Sequence, residues 1–282
     1  MKKWLTLMLL APVALAIPRL AASPAASPGV VFTMEVKDVG SSEPAQQVTA
    51  SIEGELLKVQ SAAEGGGQPN EVIFRGDRNE LVMVDHGSRT YVVMDEAAMK
   101  QLVSQLGAAM SQMQEMLKTM PPEQRAQMEE MMKGRGMGPG MGAAPEPTEL
   151  RRTSERAEQS GYPSVKYEIL QGGRKVREMW ITEWTNVPGA AEARPAFERM
   201  AAFAKEMMDA LAQTGFGGGA DLDVYQHMQE ANGYPVVAIE FDDNGQPETE
   251  TRLVSATEQT IQASAFEPPD GYRRQSMGGM GG

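Results

Sequence analysis

The sequence predicts an α+β fold in which one large antiparallel β-sheet is covered on one face by helices. Short segments with alternating apolar and polar residues dominate the chain, and this alternation is typical of strands with one buried face. Most of these segments are joined by short connections that contain glycine, as in hairpins, whereas parallel strands need long crossovers. Two longer segments have apolar residues at helical spacing, so they are the candidate covering helices.

The first 22 residues have the composition of an export signal. Lys2 and Lys3 precede an apolar run of about thirteen residues, and small residues follow it. Since a membrane-spanning helix needs roughly 20 residues, we expect residues 1–22 to be a cleaved signal peptide. The protein is therefore predicted to be periplasmic or secreted, with no transmembrane segment after cleavage. Residues 23–29 are predicted to be a flexible N-terminal segment.

Charge and composition exclude several classes of function. Removal of residues 1–22 takes away three basic residues and no acid, so the formal charge of −12 becomes −15. An acidic chain is a poor match for nucleic acid or for an anionic membrane surface. The absence of cysteine rules out disulfides, a lipoprotein acylation site and a thiol nucleophile. Because 41% of the residues are hydrophobic, a substantial core is expected.

Six strands are predicted between Val30 and Asp95. In the first of them Val30, Phe32, Met34 and Val36 are apolar and the residues between them are mostly polar, which is a period of two. The connections EGGGQPN, GDRN and HGS are typical of turns and loops. The six predicted strand segments are VVFTMEVKDV, QQVTASIEG, ELLKVQSA, NEVIFRGD, ELVMVDH and RTYVVMD.

A helical insertion, residues 95–133, is predicted next. Asp95 can cap a helix whose apolar positions recur every three or four residues from Met99 onward. Pro121 and Pro122 interrupt this pattern, and a second helical piece follows up to Gly134. The glycines and prolines of residues 134–147 predict a flexible linker.

The second part of the chain repeats the mixture of strands and helix. We predict strands in TELRRTSERAEQ, YPSVKYEILQ and RKVREMWITEW, a helix over RPAFERMAAFAKEMMDALAQTG, a hairpin that turns at Asn244–Gly245, and a last strand near TIQASAF. Residues 276–282 are predicted to be a disordered Gly/Met tail. One sheet domain over residues 30–275 is the prediction, and two small sheet domains hinged at the linker are the alternative.

The sequence lacks catalytic signatures, so we expect neither an enzyme nor a cofactor. His86 lies between two predicted strands and is interpreted as a turn residue, and His227 is interpreted as a polar strand position. No HExxH, GxSxG or SxxK motif occurs. The acidic segment EFDDNGQPETET lacks the glutamate that ends a calcium loop, so a hairpin turn is the favoured interpretation. No metal site is predicted.

Several segments resemble a known family when they are taken in order. They are VIFRGDRNELVMVDHGSRTYVVMDE, MPPEQRAQMEEMM, GYPSVKYEI, REMWITEW and SAFEPPDGYRR. Together they resemble the secreted bacterial family called domain of unknown function forty-four twelve, which is similar to the periplasmic lipoprotein carrier LolA and the receptor LolB. The resemblance implies a LolA-like half-barrel: a curved antiparallel sheet with helices packed on its concave face. Family members often carry Cys or Lys at the position of Pro163.

The resemblance also implies a cavity between sheet and helices, which predicts an exported, non-catalytic binding protein. Its ligand would be apolar, such as an acyl chain of a lipid or lipoprotein, or its occupant would be part of an envelope protein. The residues predicted to line the cavity are Phe32, Met34, Val93, Trp180, Trp184 and Phe241. The methionines predicted to form a lid over it are Met110, Met113, Met116, Met128 and Met131, because flexible thioethers adapt to varied apolar ligands.

Two other hypotheses stay open at the level of sequence. Residues 110–142 contain nine of the 22 methionines. Three of the thioethers of Met110, Met113, Met116 and Met120 could bind Cu(I) in a copper-handling protein, although no His or Cys accompanies them. The third hypothesis is an envelope scaffold with a filled core. For Trp180 and Trp184, structural cover by the helix that contains Phe197 is favoured over ligand contact.

Overall fold

The structure is a computed structural model that describes residues 27–61, 70–119, 121, 147–212 and 223–276. The predicted signal peptide, the second helical piece after Pro121, most of the predicted linker and the end of the predicted tail lie outside these residues. No helix in the described ranges is both long and apolar enough to span a membrane.

Within the described residues, twelve strands form one curved, open and mostly antiparallel sheet, and the fold is α+β. The order across the sheet is β12-β6-β5-β4-β3-β2-β1-β11-β10-β9-β8-β7. The strands are β1 (Ser27–Asp38), β2 (Gln46–Glu53), β3 (Leu56–Ser61), β4 (Asn70–Arg75), β5 (Glu80–Asp85), β6 (Thr90–Met94), β7 (Thr148–Gln159), β8 (Tyr162–Gln171), β9 (Arg174–Thr182), β10 (Tyr234–Phe241), β11 (Pro247–Ile261) and β12 (Arg273–Gln275).

Strand β1 joins the two halves of the sheet. It pairs with β2 on one side and with β11 on the other, and both pairings are antiparallel. The six N-terminal strands and the later strands therefore share one hydrogen-bonded sheet. Strand β1 begins at Ser27 and so extends into residues 23–29, the segment predicted to be flexible.

Three α-helices occur among the described residues: α1 (Glu96–Thr119), α2 (Ala190–Ala212) and α3 (Asp223–Ala231). As predicted, Asp95 caps α1, because its Oδ1 accepts a hydrogen bond of 2.8 Å from the backbone N–H of Ala98. Helix α2 begins four residues before the predicted start at Arg194. Proline is well tolerated in the first turn of a helix, and the predicted start placed Pro195 there. In the structure Pro195 follows the first turn.

The main core lies between α2 and the sheet. Gly189 precedes α2 with a φ of +70°, and a Cβ at this position would lie 2.6 Å from the Cβ of Val30 in β1, so only glycine lets the helix begin directly on the sheet. Strands β1 to β4 and helix α2 bury one continuous apolar cluster. Its largest members from these elements are Val30, Phe32, Ile52, Leu57, Phe74, Phe197, Met200 and Phe203.

A second core lies beneath the C-terminal segment. Phe266, in a short 3-10 helix (Ala263–Phe266), is 1% exposed and packs with Ile73, Val82 and Val93. The chain then continues to β12, which pairs in parallel with β6. The C-terminal segment thereby covers apolar side chains of β4, β5 and β6 that the main core does not use.

Three sequence predictions are wrong in detail. His227 belongs to the short helix α3 instead of a strand, because packing against α2, which its local alternation does not encode, stabilises that helix. TIQASAF does not form a separate strand, since β11 continues to Ile261 and the burial of Phe266 requires a helical turn. The sheet is also not wholly antiparallel, because β12 joins it in parallel.

The substitution Phe266→Ala tests the docking of the C-terminal segment. Removal of a fully buried aromatic ring typically costs about 3–5 kcal/mol of unfolding free energy, so urea unfolding should show a loss of that size. Val254→Ala is the control, because Val254 is 52% exposed and its truncation should change the free energy by less than about 0.5 kcal/mol. Equal effects of the two substitutions would contradict the described packing.

Candidate binding cleft

An open cleft of ≈ 860 Å³ lies at the β7 end of the sheet. Its walls come from strands β7, β8 and β9, from the beginning of α2 and from the turn that follows α3. The residues that line it are Arg152, Arg156, Ala157, Glu158, Pro163, Ser164, Val165, Tyr167, Ile181, Thr182, Glu183, Trp184, Thr185, Asn186, Ala191, Arg194, Ala231, Asn232 and Gly233.

The floor of the cleft follows from the register of the strands. Val165 lies directly opposite Ile181, and Tyr167 lies opposite Met179. Residues directly opposite each other project from the same face of a sheet, so these side chains form an apolar surface. Ile181 and Tyr167 are buried and Val165 is half-buried, which gives the cleft a floor that a ligand can partly desolvate.

Hydrogen bonds hold the wall that follows β9. The hydroxyl of Thr182 donates to the carbonyl of Pro163 at 2.7 Å, and the side-chain amide of Asn186 donates to the hydroxyl of Thr182 at 2.8 Å. These bonds attach the short 3-10 helix Trp184–Asn186 to β8. Because that helix leads directly into α2, the wall is a fixed part of the fold.

Beside the cleft, four aromatic rings fill the space between α2 and the sheet. Phe32 stacks on Tyr234 with ring centroids 4.9 Å apart, and Phe197 lies 6.5 Å from Phe32 and 5.9 Å from Trp184. Tyr225 of α3 stacks on Phe197 with ring centroids 6.1 Å apart. This aromatic cluster contains the Trp184–Phe197 contact that the sequence favoured over ligand contact.

Burial changes the acid–base chemistry of Tyr234 in this cluster and of Tyr225 beside it. It raises the pKa of Tyr225 and of Tyr234 above the ordinary value near 10, and the neighbouring phenols add to the rise for Tyr234. Both hydroxyls therefore stay protonated throughout the physiological range, and the aromatic cluster remains neutral.

The residues predicted to line a cavity lie in three different places. Phe32 and Trp184 belong to the main core, and half-buried Met34 and Trp180 pack against it. Val93 lies in the second core and borders a smaller groove of ≈ 390 Å³ beside α1. The ring of Trp180 lies 5.8 Å from the ammonium group of Lys166, and the ring of Phe241 lies 4.0 Å from that of Lys175. Of this set only Trp184 borders the cleft.

The methionines predicted to form a lid, or to bind copper, are only partly described. Met116 lies on α1 with 47% of its surface exposed. Met110 and Met113 fall within α1, but their side chains, like all of Met120, Met128 and Met131, lie outside the described part of the structure. Both roles therefore stay predictions.

The two histidines occupy structural positions. His86 lies in the turn between β5 and β6, as predicted, and its Nδ1 lies 2.9 Å from the hydroxyl of Tyr272. Nε2 of His227 lies 3.2 Å from the Thr148 hydroxyl. In the described ranges no group of three or more His, Asp or Glu residues is arranged to hold a metal ion.

The acidic segment at the β10–β11 turn has the predicted hairpin role. Oδ1 of Asp242 accepts backbone hydrogen bonds from Gln246 at 2.7 Å and from Asn244 at 2.9 Å. The bond from Gln246 contributes most to a lowered pKa of Asp242. This carboxylate is therefore committed to the turn.

Sequence reasoning missed most of the residues that line the cleft. Arg152 and Arg156 lie in TELRRTSERAEQ, whose charges are distributed over both strand faces, so no alternation singles them out. The turn residues Asn186 and Asn232 carry no motif. The one available signal was the apolar pair Met179 and Ile181, which indicates a covered strand face without showing what covers it.

Comparison with models of protein families gives no match, and comparison with curated proteins also gives none. Solved structures with a similar arrangement include an uncharacterized conserved protein from Thermus thermophilus, with 8% identity and a TM-score of 0.43 over 88% of this chain and 90% of that one. MucB matches with 10% identity and a TM-score of 0.35 over 86% of this chain and 57% of MucB. MucB in the Pseudomonas aeruginosa MucA/MucB complex matches with 9% identity and a TM-score of 0.33, over 86% and 56%. These TM-scores are all below 0.5, and none of the three matches indicates a role for this chain.

The raised pKa values of Tyr225 and Tyr234 predict a loss of stability at high pH. An acid whose pKa is raised by folding stabilises the fold below its unfolded pKa, near 10, and loses that contribution as the pH rises toward the folded value. The unfolding free energy of the wild type should therefore fall above pH 10, by up to about 1.4 kcal/mol for each unit of pKa shift. In Tyr234→Phe the decline should be shallower.

Urea unfolding at a series of pH values measures this difference. At pH 7 the wild type and Tyr234→Phe should agree within about 1.5 kcal/mol, because the two side chains have nearly the same volume. Parallel declines of the two proteins above pH 10 would show that burial of Tyr234 does not couple to the ionisation.

Proposed function

We propose that this chain is an exported, non-catalytic binding protein that holds a ligand with an apolar part, or a partner, in the cleft at the β7 end of its sheet. The observation that carries the proposal is the apolar floor of Val165, Tyr167 and Ile181 inside a cleft of ≈ 860 Å³. This volume lies within the range of about 300–1,000 Å³ that is typical of small-molecule sites.

The finer description of the fold is part of this proposal. It comprises a LolA-like half-barrel with its helices on the concave face, and membership of the family called domain of unknown function forty-four twelve. The curved sheet and the position of α2 on strands β1 and β2 are consistent with it, and so is the order of the segments that carry the resemblance. Export by residues 1–22 is likewise proposed from their composition.

The composition of the cleft supports binding without catalysis. Its described lining contains no histidine, lysine or cysteine, so the usual acid–base groups are limited to the carboxylates of Glu158 and Glu183 and the phenol of Tyr167. Ser164, the buried serine of the lining, donates its hydroxyl hydrogen bond to the carbonyl of Tyr162 at 3.0 Å. That hydroxyl is therefore held by the backbone and is not paired with a base.

A scaffold that docks an envelope protein is the second candidate function. The aromatic cluster fills the space between α2 and the sheet, and the sequence hypothesis of a scaffold predicted a filled core. Under this function the cleft would receive a side chain or loop of the partner protein instead of a small molecule. The purified protein would then carry no lipid.

Ala191→Trp tests the cleft as the binding site. Ala191 is exposed at the beginning of α2 and lines the cleft, so an indole there should obstruct the cleft without disturbing the core. We expect the wild type to retain a lipid detectable by mass spectrometry, or to bind a hydrophobic fluorescent dye. The variant should lose at least tenfold in occupancy or affinity.

Ala202→Trp is the matched control. Ala202 is exposed on the same helix and does not line the cleft. The substitution therefore adds the same indole group to the surface outside the cleft. This control should bind as the wild type does. A wild type that carries no lipid and binds no dye would refute the small-ligand function, and equal binding by the two variants would refute this location of the site.

A further inference from the structure

Two arginines lie on the rim of the cleft, and their role in ligand binding rests on the proposed function. Arg152 lies opposite Tyr167, and Arg156 lies opposite Val165, in the pairing of β7 with β8. All four residues line the cleft. Because opposed residues share a face of the sheet, each arginine stands at the end of a row that continues into the apolar floor.

An irregularity in β7 brings the two arginines closer together. Three residues separate them on β7, whereas Lys166 alone separates their partners on β8. The hydroxyl of Thr153 donates to the carbonyl of Lys166 at 3.0 Å and accepts from the backbone N–H of Glu155 at 3.1 Å, which holds the extra residues in place. In a regular strand Arg152 and Arg156 would be roughly 13 Å apart along β7. The residues with which they pair, Tyr167 and Val165, are only about 7 Å apart along β8.

Neither Arg152 nor Arg156 takes part in an ion pair among the described residues. Other arginines of the sheet have acidic partners: Arg75 pairs with Glu80, and Arg151 pairs with Glu168. No carboxylate in the described ranges pairs with Arg152 or Arg156, although Glu158 and Glu183 also lie on the rim. Among the described residues the guanidinium groups of Arg152 and Arg156 therefore have no acidic partner and are available to a ligand, in a chain whose net charge is −12.

The third arginine of the lining differs from these two. Nε of Arg194 donates to Glu198 at 2.8 Å, and its guanidinium lies 5.9 Å from the ring centre of Trp184. It is thus already engaged on α2. Recognition of a negative group falls to Arg152 and Arg156, whose planar groups match the oxygens of a carboxylate or a phosphate.

We propose that the cleft binds an anionic amphiphile. Arg152 and Arg156 bind its carboxylate or phosphate head group, and its apolar chain lies on Val165, Tyr167 and Ile181. The apolar floor alone would accept any hydrophobic molecule, whereas the acidic character of the chain as a whole repels anions. The paired guanidinium groups therefore determine which amphiphiles are accepted, because they attract a negative head group at this one place.

The test uses three amphiphiles with the same alkyl chain and different head groups: dodecanoate, dodecyl phosphate and the neutral dodecyl maltoside. Their binding to the full exported chain is measured by calorimetry below their micelle concentrations. We expect at least one of the two anions to bind tenfold or more tightly than the neutral compound. The stronger of the two identifies the head group as carboxylate or phosphate.

Variants locate the preference. The double substitution Arg152→Gln with Arg156→Gln should weaken binding of the preferred anion at least tenfold and leave the neutral compound unchanged. Arg151→Gln is the matched control, since Arg151 is the neighbouring arginine of the same strand and is paired with Glu168 away from the cleft. This control should keep the preference of the wild type. All three arginines are exposed, and thermal unfolding checks that the variants fold.

Each outcome separates this inference from the proposed function. Equal binding of all three amphiphiles, unchanged in the double variant, would overturn the anion site while the cleft remained a binding site. Loss of the preference in Arg151→Gln as well would also overturn it, because a general charge effect would then be the cause. If none of the three bound, and the dye did not bind either, both proposals would fail.

Discussion

The packing of Phe32 is the interaction on which the rest of the structure depends. Its side chain is fully buried on the strand that joins the two halves of the sheet, and it touches Tyr234 of β10 and Phe197 of α2. The ring of Phe32 thereby connects β1 with α2 and with β10, a strand that is far away along the chain. Aromatic pairs of this kind contribute about 0.5–1.5 kcal/mol each beyond the burial of their area.

The filled aromatic cluster also decides where the molecule is open. Because the rings occupy the space between α2 and the middle of the sheet, the large cleft lies beyond Trp184, where the sheet continues to β8 and β7. The helix α2 covers β1 and β2, and only its first turns reach the cleft. The edge strands are therefore partly uncovered, and their side chains face a space that a ligand can enter.

Charge is distributed differently on the two faces of this edge. Away from the cleft, Lys166 lies 3.2 Å from Glu178, and Arg151 pairs with Glu168. The partly exposed Arg151–Glu168 pair adds little to stability, but both pairs neutralise charges on that face. On the side of the cleft, Arg152 and Arg156 have no acidic partner among the described residues, so two unneutralised positive charges lie where the apolar floor begins.

Local sequence was sufficient to predict most of the strands, the cap at Asp95 and the hairpin turns, because these depend on alternation, on a single capping side chain and on residues that accept positive φ. It did not predict α3, the course of the chain through Phe266 or the parallel strand β12, since each is stabilised by contacts with residues far away along the chain. The predicted lining was dispersed for the same reason: apolar alternation identifies a buried face, but only the packed structure decides whether side chains or empty space cover it. Arg152 and Arg156 came together through the register of β7 against β8 and the irregularity between them, and that register is a property of the folded sheet.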